Sequence, residues 1–158
     1  MIISVNERRY ADAFASVYNS ANTLFPPERR CDADETVFFR QLQEDQNFIY
    51  VSGSEIRGFM SYHKFREYYE LTSLYVRKEY QKTQIGHQLL THFENQATDH
   101  AWMIIKVLND ADWAQNFYQK HGYKALNEEM RMLTESWNMK EKAWEKILYK
   151  VRGPEKGY

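Results

Sequence analysis

The sequence predicts a mixed α/β fold: a mostly antiparallel sheet flanked by helices, with one parallel strand pair at its centre. Three observations carry this. Short strand-like segments separated by turn residues fill the stretch 48–76, the pattern of an antiparallel meander. The hydrophobic period then becomes helical over 83–99, and a continuous apolar run follows at 103–108. Strand, helix and strand in that order imply a parallel pair joined by a right-handed crossover.

The elements follow in chain order. Residues 1–5 read as a short strand. Ala11, Phe14, Ala15, Val17, Tyr18 and Ala21 have helical spacing, which predicts a helix over 10–21. Phe25-Pro26-Pro27 ends that region, because proline cannot continue a helix and pushes its predecessor to extended angles. A second helix is expected over 34–44, burying Val37, Phe38 and Leu42. Strands follow at 48–52, 57–65 and 69–76, the first two joined by a Gly53-Ser54 turn. In the second, Phe59, Ser61, His63 and Phe65 share a face. In the third, Leu71, Ser73 and Tyr75 oppose Glu70, Thr72, Leu74 and Val76.

The helix over 83–99 buries Ile85, Leu89, Leu90, Phe93 and Ala97, and the apolar strand 103–108 suits a sheet centre covered on both faces. Residues 112–121 return to helix, with Trp113, Phe117 and Lys120 along one side and Gly122 as a left-handed residue past its end. Residues 123–133 are expected to be extended, against the grain of Glu128-Glu129. A short helix over 135–143 and a last strand over 146–152 complete the chain. No linker or repeat interrupts it, so residues 1–158 read as one domain.

Composition narrows the function classes. Hydrophobic residues make up 43% and aromatics 16%, enough for a packed core. With 21 basic against 22 acidic residues the formal charge is −1, and no basic excess offers a nucleic-acid surface. Cys31 is the single cysteine and has no obvious paired base, so it reads as an incidental thiol of a reduced, cytoplasmic protein. No segment approaches the ~20 apolar residues of a membrane span. His87, His92, His100 and His121 have no partners at metal-ligand spacing, so no metal is expected. Trp102, Trp113, Trp137 and Trp144 read as core or interface residues.

The chemistry concentrates in 71–90. Here a strand runs into a polar loop that opens a helix. Amides at a helix start lack intrahelical acceptors and face outward, and the helix dipole adds positive character, so such a loop is suited to phosphate. An ordinary helix N-terminus would look the same.

Leu74-Tyr75-Val76, Tyr80-Gln81, Ile85-Gly86 and Leu89-Leu90, in that order and spacing, resemble the cofactor signature of the GNAT N-acetyltransferases. So does Ala114-Gln115-Asn116-Phe117-Tyr118-Gln119-Lys120-His121-Gly122-Tyr123, which follows the family's Ala-x-x-Phe-Tyr-x-Lys-x-Gly-Phe segment. The resemblance covers about 48–123. It implies the acyl-CoA N-acyltransferase fold, acetyl-CoA as cofactor, and transfer of its acetyl group to a primary amine of a small molecule or peptide. It further implies that Gln81, Lys82, Thr83, Gln84, Gly86 and His87 hold the pyrophosphate, that the Leu74 and Val76 backbone pairs with the pantetheine arm, and that Asn109 and Tyr118 complete the cofactor site. Tyr118 would protonate the departing thiolate, and Glu70 would serve as base. Two positions depart from the signature. Its first glycine is Gln84, and the glycine common after the glutamine is Lys82. The usual asparagine before the alanine is Ala111, with Asn109 replacing it in part.

Each role has a plainer counterpart. Tyr118 would also suit a helix core, Glu70 a solvated strand end, and His63 is the next candidate base. The family's acceptor pocket points to Phe25, Glu28, Tyr62, Tyr68 and Trp137, aromatics and a carboxylate that would suit a cationic amine. A protein of this fold that binds acyl-CoA or a protein partner without turnover is the alternative, favoured by Lys82 and Gln84 and opposed by the intact Tyr118. A homodimer would follow the family's habit.

Overall fold

The computed structural model describes residues 1–153. Its strands are β1 (Ile2–Val5), β2 (Gln46–Ser52), β3 (Glu55–Lys64), β4 (Tyr68–Val76), β5 (Trp102–Leu108), β6 (Lys124–Ala125) and β7 (Glu145–Val151). Its helices are α1 (Ala11–Ala21), α2 (Phe39–Glu44), α3 (Ile85–Gln96), α4 (Asp112–Lys120) and α5 (Glu128–Ser136). The strands form a seven-stranded mixed sheet in the order β1-β2-β3-β4-β5-β7-β6, with β4 and β5 parallel. The pairs β1–β2, β2–β3, β5–β7 and β6–β7 are antiparallel.

The chain gathers into two compact units. The first comprises Met1–His63 and Leu71–Gln96; the second comprises Lys64–Glu70 and the described chain from Ala97 onward. β4 runs through both.

In the first unit the alternation of β3 sorts side chains onto two faces. Phe59 lies against Phe14 of α1 as a stacked pair, centroids 4.0 Å apart, with Phe38 edge-on to both. Val5, Ala11, Val17, Leu42 and Ile49 complete this core. The other face carries Gly58, Met60 and Tyr62 and is covered by α3, where Phe93 meets Tyr62 and His92 meets Phe48. A polar strip crosses the first face. Asn47, 1% exposed, donates through Nδ2 to the Gln41, Leu42 and Asp45 carbonyls and accepts from Ser61 Oγ at 2.5 Å. The Gln41 side chain then joins Ser61 to Ser73. Every buried polar group in this strip has a partner, as burial demands.

The second unit is built on β5. Met103, Ile104, Ile105 and Val107 are buried, as a strand covered on both faces requires. Tyr68, Ile104, Leu126, Met139 and Ile147 form its core, with Trp102, Met130, Trp137 and Tyr149 packed around it. The buried stripe of α4 and its preceding turn is Ala111, Gln115 and Tyr118; Trp113 on the flank is 38% exposed. Gly122 ends α4 at φ 90°, an angle that glycine adopts without a Cβ penalty.

Three expectations are corrected. The helix over 34–44 divides into a 3-10 turn, Glu35–Phe38, started by the Asp34 carboxylate on the Thr36 amide, and the short α2; Val37 is 61% exposed rather than buried. Residues 123–133 are not extended beyond the two-residue β6. Asn127 Oδ1 accepts the Met130 amide at 2.8 Å and caps α5, whose first turn holds Glu128 and Glu129. Carboxylates are stabilised at a helix N-terminus, so the pair that disfavoured a strand marks a helix start. The helix expected over 135–143 ends at Ser136, because Asn138 turns to φ 62° and the Met139 amide closes back on the Thr134 carbonyl.

Candidate functional site

The first unit presents the strand-to-helix loop. After β4 the Arg77 amide donates to the Arg57 carbonyl at 2.9 Å, and its guanidinium reaches the Ile56 carbonyl and Ser16 Oγ. The Lys78 amide donates to Ser20 Oγ at 3.0 Å. A 3-10 turn, Lys78–Tyr80, follows, and the Gln81 side chain folds back so that Nε2 donates to the Val76 carbonyl at 3.0 Å. Gln81 therefore braces the loop from inside. Lys82, Thr83, Gln84 and His87 are exposed, Leu74 and Gly86 are half-buried, and Val76 is buried.

The Gln88 amide, bonded to the Gln84 carbonyl at 2.9 Å, closes the first turn of α3. Among the described residues, no acceptor meets the amides of Lys82, Gln84 and Gly86. These are the donors that a helix start leaves for an anion. None of the positive-φ positions among the described residues falls in this loop, so its path does not require glycine at 82 or 84.

The second unit holds Glu70, Asn109 and Tyr118. Glu70, at the start of β4, pairs with Lys106 of β5 (Oε1 to Nζ 3.4 Å), with side chains 15% and 35% exposed. Tyr118 is buried, edge-on to Phe117 and Tyr123. Gln115 fastens the start of α4 by donating Nε2 to the Leu108 and Asn109 carbonyls at 2.9 and 3.0 Å. Asn109 Nδ2 donates to the Ala143 carbonyl at 2.7 Å, and its amide donates to the Trp144 carbonyl.

The expected acceptor-pocket residues are distributed over the two units. Tyr68 and Trp137 stack at 5.4 Å in the second unit, and burial, then the Glu70 and Glu67 charges, push the Tyr68 phenol above its ordinary range. Tyr62 is buried in the first unit beside Phe48 and Phe93. Phe25 already carries the Arg29 guanidinium 5.2 Å over its ring, and Glu28 is exposed beside it. His63 Nδ1 lies 3.0 Å from Asp45 Oδ1, while Asp45 Oδ2 accepts Thr72 Oγ1 at 2.7 Å. Lys106 was legible as the lone charge in an apolar strand; Arg57 and Arg77 carried no local signal.

No curated protein matches the chain in sequence. Among the solved structures that share the fold are three acetyltransferases. The ribosomal-protein-S18-alanine N-acetyltransferase of Escherichia coli is 15% identical with a TM-score of 0.69, over 100% of this chain and 99% of that one. The PaiA N-acetyltransferase of Thermoplasma acidophilum, in complex with coenzyme A, is 14% identical with a TM-score of 0.70, over 96% and 99%. An aminoglycoside 6'-N-acetyltransferase complexed with coenzyme A is 17% identical with a TM-score of 0.68, over 99% of each chain. The model of the acetyltransferase (GNAT) family matches residues 14–123, a span that holds the strand-to-helix loop, Glu70 and Tyr118. The chain thus belongs to the GNAT acetyltransferase family.

Proposed function

We propose that this protein is an acetyl-CoA-dependent N-acetyltransferase acting on a primary amine of a small molecule or peptide. The observation that carries the reading is the strand-to-helix loop, where the Lys82, Gln84 and Gly86 amides at the start of α3 meet no acceptor among the described residues. A pyrophosphate fits such donors, and Lys82, Thr83 and His87 stand exposed around them. The β4 backbone at Leu74 and Val76 would align the pantetheine arm. Coenzyme A in two neighbours, and the amine acceptors that the neighbours' names give, support the same assignment.

Acetyl-CoA supplies an activated thioester; the chain supplies proton handling. Glu70, beside Lys106, takes the amine proton, and the Tyr118 phenol gives one to the leaving sulfur. Asn109, whose Nδ2 ties the loop to the Ala143 carbonyl, completes the cofactor site.

Calorimetric titration with acetyl-CoA, desulfo-coenzyme A and ATP tests the reading. Micromolar affinity for the first two and none for ATP is expected. No binding of acetyl-CoA refutes it. Binding without acetylation across a panel of amines leaves the non-catalytic alternative.

A further inference from the structure

Four consecutive residues at the start of β3 each touch the segment 75–89. Glu55 Oε1 accepts the Tyr80 hydroxyl at 2.6 Å. The Ile56 carbonyl accepts the Arg77 guanidinium at 2.8 Å. Arg57 lies 4.2 Å over the Tyr80 ring, pairs with Glu55 at 2.9 Å, and accepts the Arg77 amide through its carbonyl. Gly58 packs beneath Tyr75, Ile85 and Leu89. The loop's internal ties are the Gln81 side chain on Val76, the Thr83 hydroxyl on Tyr80, the Ile85 amide on Thr83 Oγ1, and three backbone bonds to Arg77, Lys78 and Tyr80.

From these contacts we infer that Glu55 and Arg57 clamp Tyr80 to set the direction of the Lys82–Gly86 amides, which makes Glu55, Arg57 and Tyr80 positioning residues of the anion loop. The clamp replaces the fit that glycines would give by moulding themselves to a ligand. Here the loop carries side chains at 82 and 84, so its amides must be aimed beforehand. The hydroxyl-to-carboxylate bond is charge-assisted, and the guanidinium both neutralises Glu55 and covers the ring. In agreement with that geometry, the Tyr80 bond holds the Glu55 carboxyl below its usual range and the Tyr80 phenol above its own. The inference rests on the function proposed above for the meaning of the loop, although the clamp can be measured without any cofactor.

Amide hydrogen exchange on the protein without ligand supplies that measurement. Tyr80→Phe and Glu55→Gln should each speed exchange of the hydrogen-bonded loop amides, Gln81 on the Lys78 carbonyl and Thr83 on the Tyr80 carbonyl, about two- to fivefold and leave the centre of α3 unchanged, the size expected for an exposed charged contact. Acetyl-CoA affinity should fall by the same factor with kcat unaffected. Arg57→Lys, which keeps a cation over the ring, should stay near the parent, and Arg57→Ala should follow Tyr80→Phe. Glu44→Gln, in the exposed Arg40–Glu44 pair of equal 2.9 Å length, is the control and should move nothing. Unchanged loop exchange in both Tyr80→Phe and Glu55→Gln overturns the inference. Faster exchange in a protein whose parent binds no acetyl-CoA sustains the clamp and removes the proposed function.

Discussion

Gly58 offers the sharpest test of how the loop is set. It is buried in β3, and its φ lies outside the left-handed region, so the backbone itself would accept alanine. The surroundings would not. A Cβ at this position would sit 3.0 Å from the Tyr75 carbonyl oxygen, 3.2 Å from Leu89 Cδ1 and 3.4 Å from Ile85 Cγ2. Leu89 can rotate; the Tyr75 oxygen is backbone of the strand that leads into the loop and cannot. Overpacking of this kind costs ~1–3 kcal/mol. In a chain of this size each kcal/mol lowers Tm by ~2–4 °C, so Gly58→Ala should melt ~2–12 °C lower by calorimetry. Relief comes most easily by lifting the first turn of α3, so affinity for acetyl-CoA should fall as well. A variant that melts within ~1 °C of the parent and binds acetyl-CoA equally well would show that close approach at Gly58 does not hold the loop.

Further outcomes follow from other parts of the structure. Asn47→Ala should destabilise by ~1–3 kcal/mol in urea titration, because three carbonyls lose their donor and Ser61 Oγ its acceptor. His92 sits edge-on to Phe48, and burial lowers its folded pKa. The unfolded chain therefore binds more protons below the ordinary histidine value of ~6.5, and stability should fall as pH drops through that region. His92→Gln should flatten this acid limb in thermal melts across pH; an unchanged slope would exonerate His92. Tyr75 is half-buried, and desolvation of its phenol raises it well above 10, so the unfolded state loses its proton first and stability should decline from about pH 10 upward, less so in Tyr75→Phe. Tyr118→Phe should lower kcat by ~10²-fold or more with acetyl-CoA affinity retained; equal loss of both would remove its acid role.

Much of the fold was legible because period and punctuation agreed. Phe14, Leu42, Leu89, Leu90 and Phe93 fall where their spacing puts them, and Gly122 is left-handed. The order of strands and helices matches the reading of the sequence. Misreadings arose where a side chain's role depends on a neighbour far along the chain or on local capping. Asn127 turns an apparent strand into a helix start, and Asn138 stops that helix early. Of the proposed site, the loop, Asn109, Glu70 and Tyr118 could be named from motif and position, whereas the partners of Gln81, Asn109 and Glu70 could not. Gln81 and Asn109 spend their side chains on Val76 and Ala143, and Glu70 meets Lys106 across the strands. Such partners are set by register, which no local pattern discloses.

The division of the chain into two units has an optical consequence. All four tryptophans, Trp102, Trp113, Trp137 and Trp144, belong to the second unit, and the first has only tyrosine and phenylalanine. Trp102 and Trp137 pack edge to face in that unit's core, while Trp144 is largely exposed. Indole emission is consequently a spectroscopic label for one unit alone, supplied by the sequence without any engineering. Ellipticity in the far ultraviolet reports on both. Superposition of the two melting curves would mean that the units unfold as one cooperative block, and a gap between them would give each unit its own transition temperature.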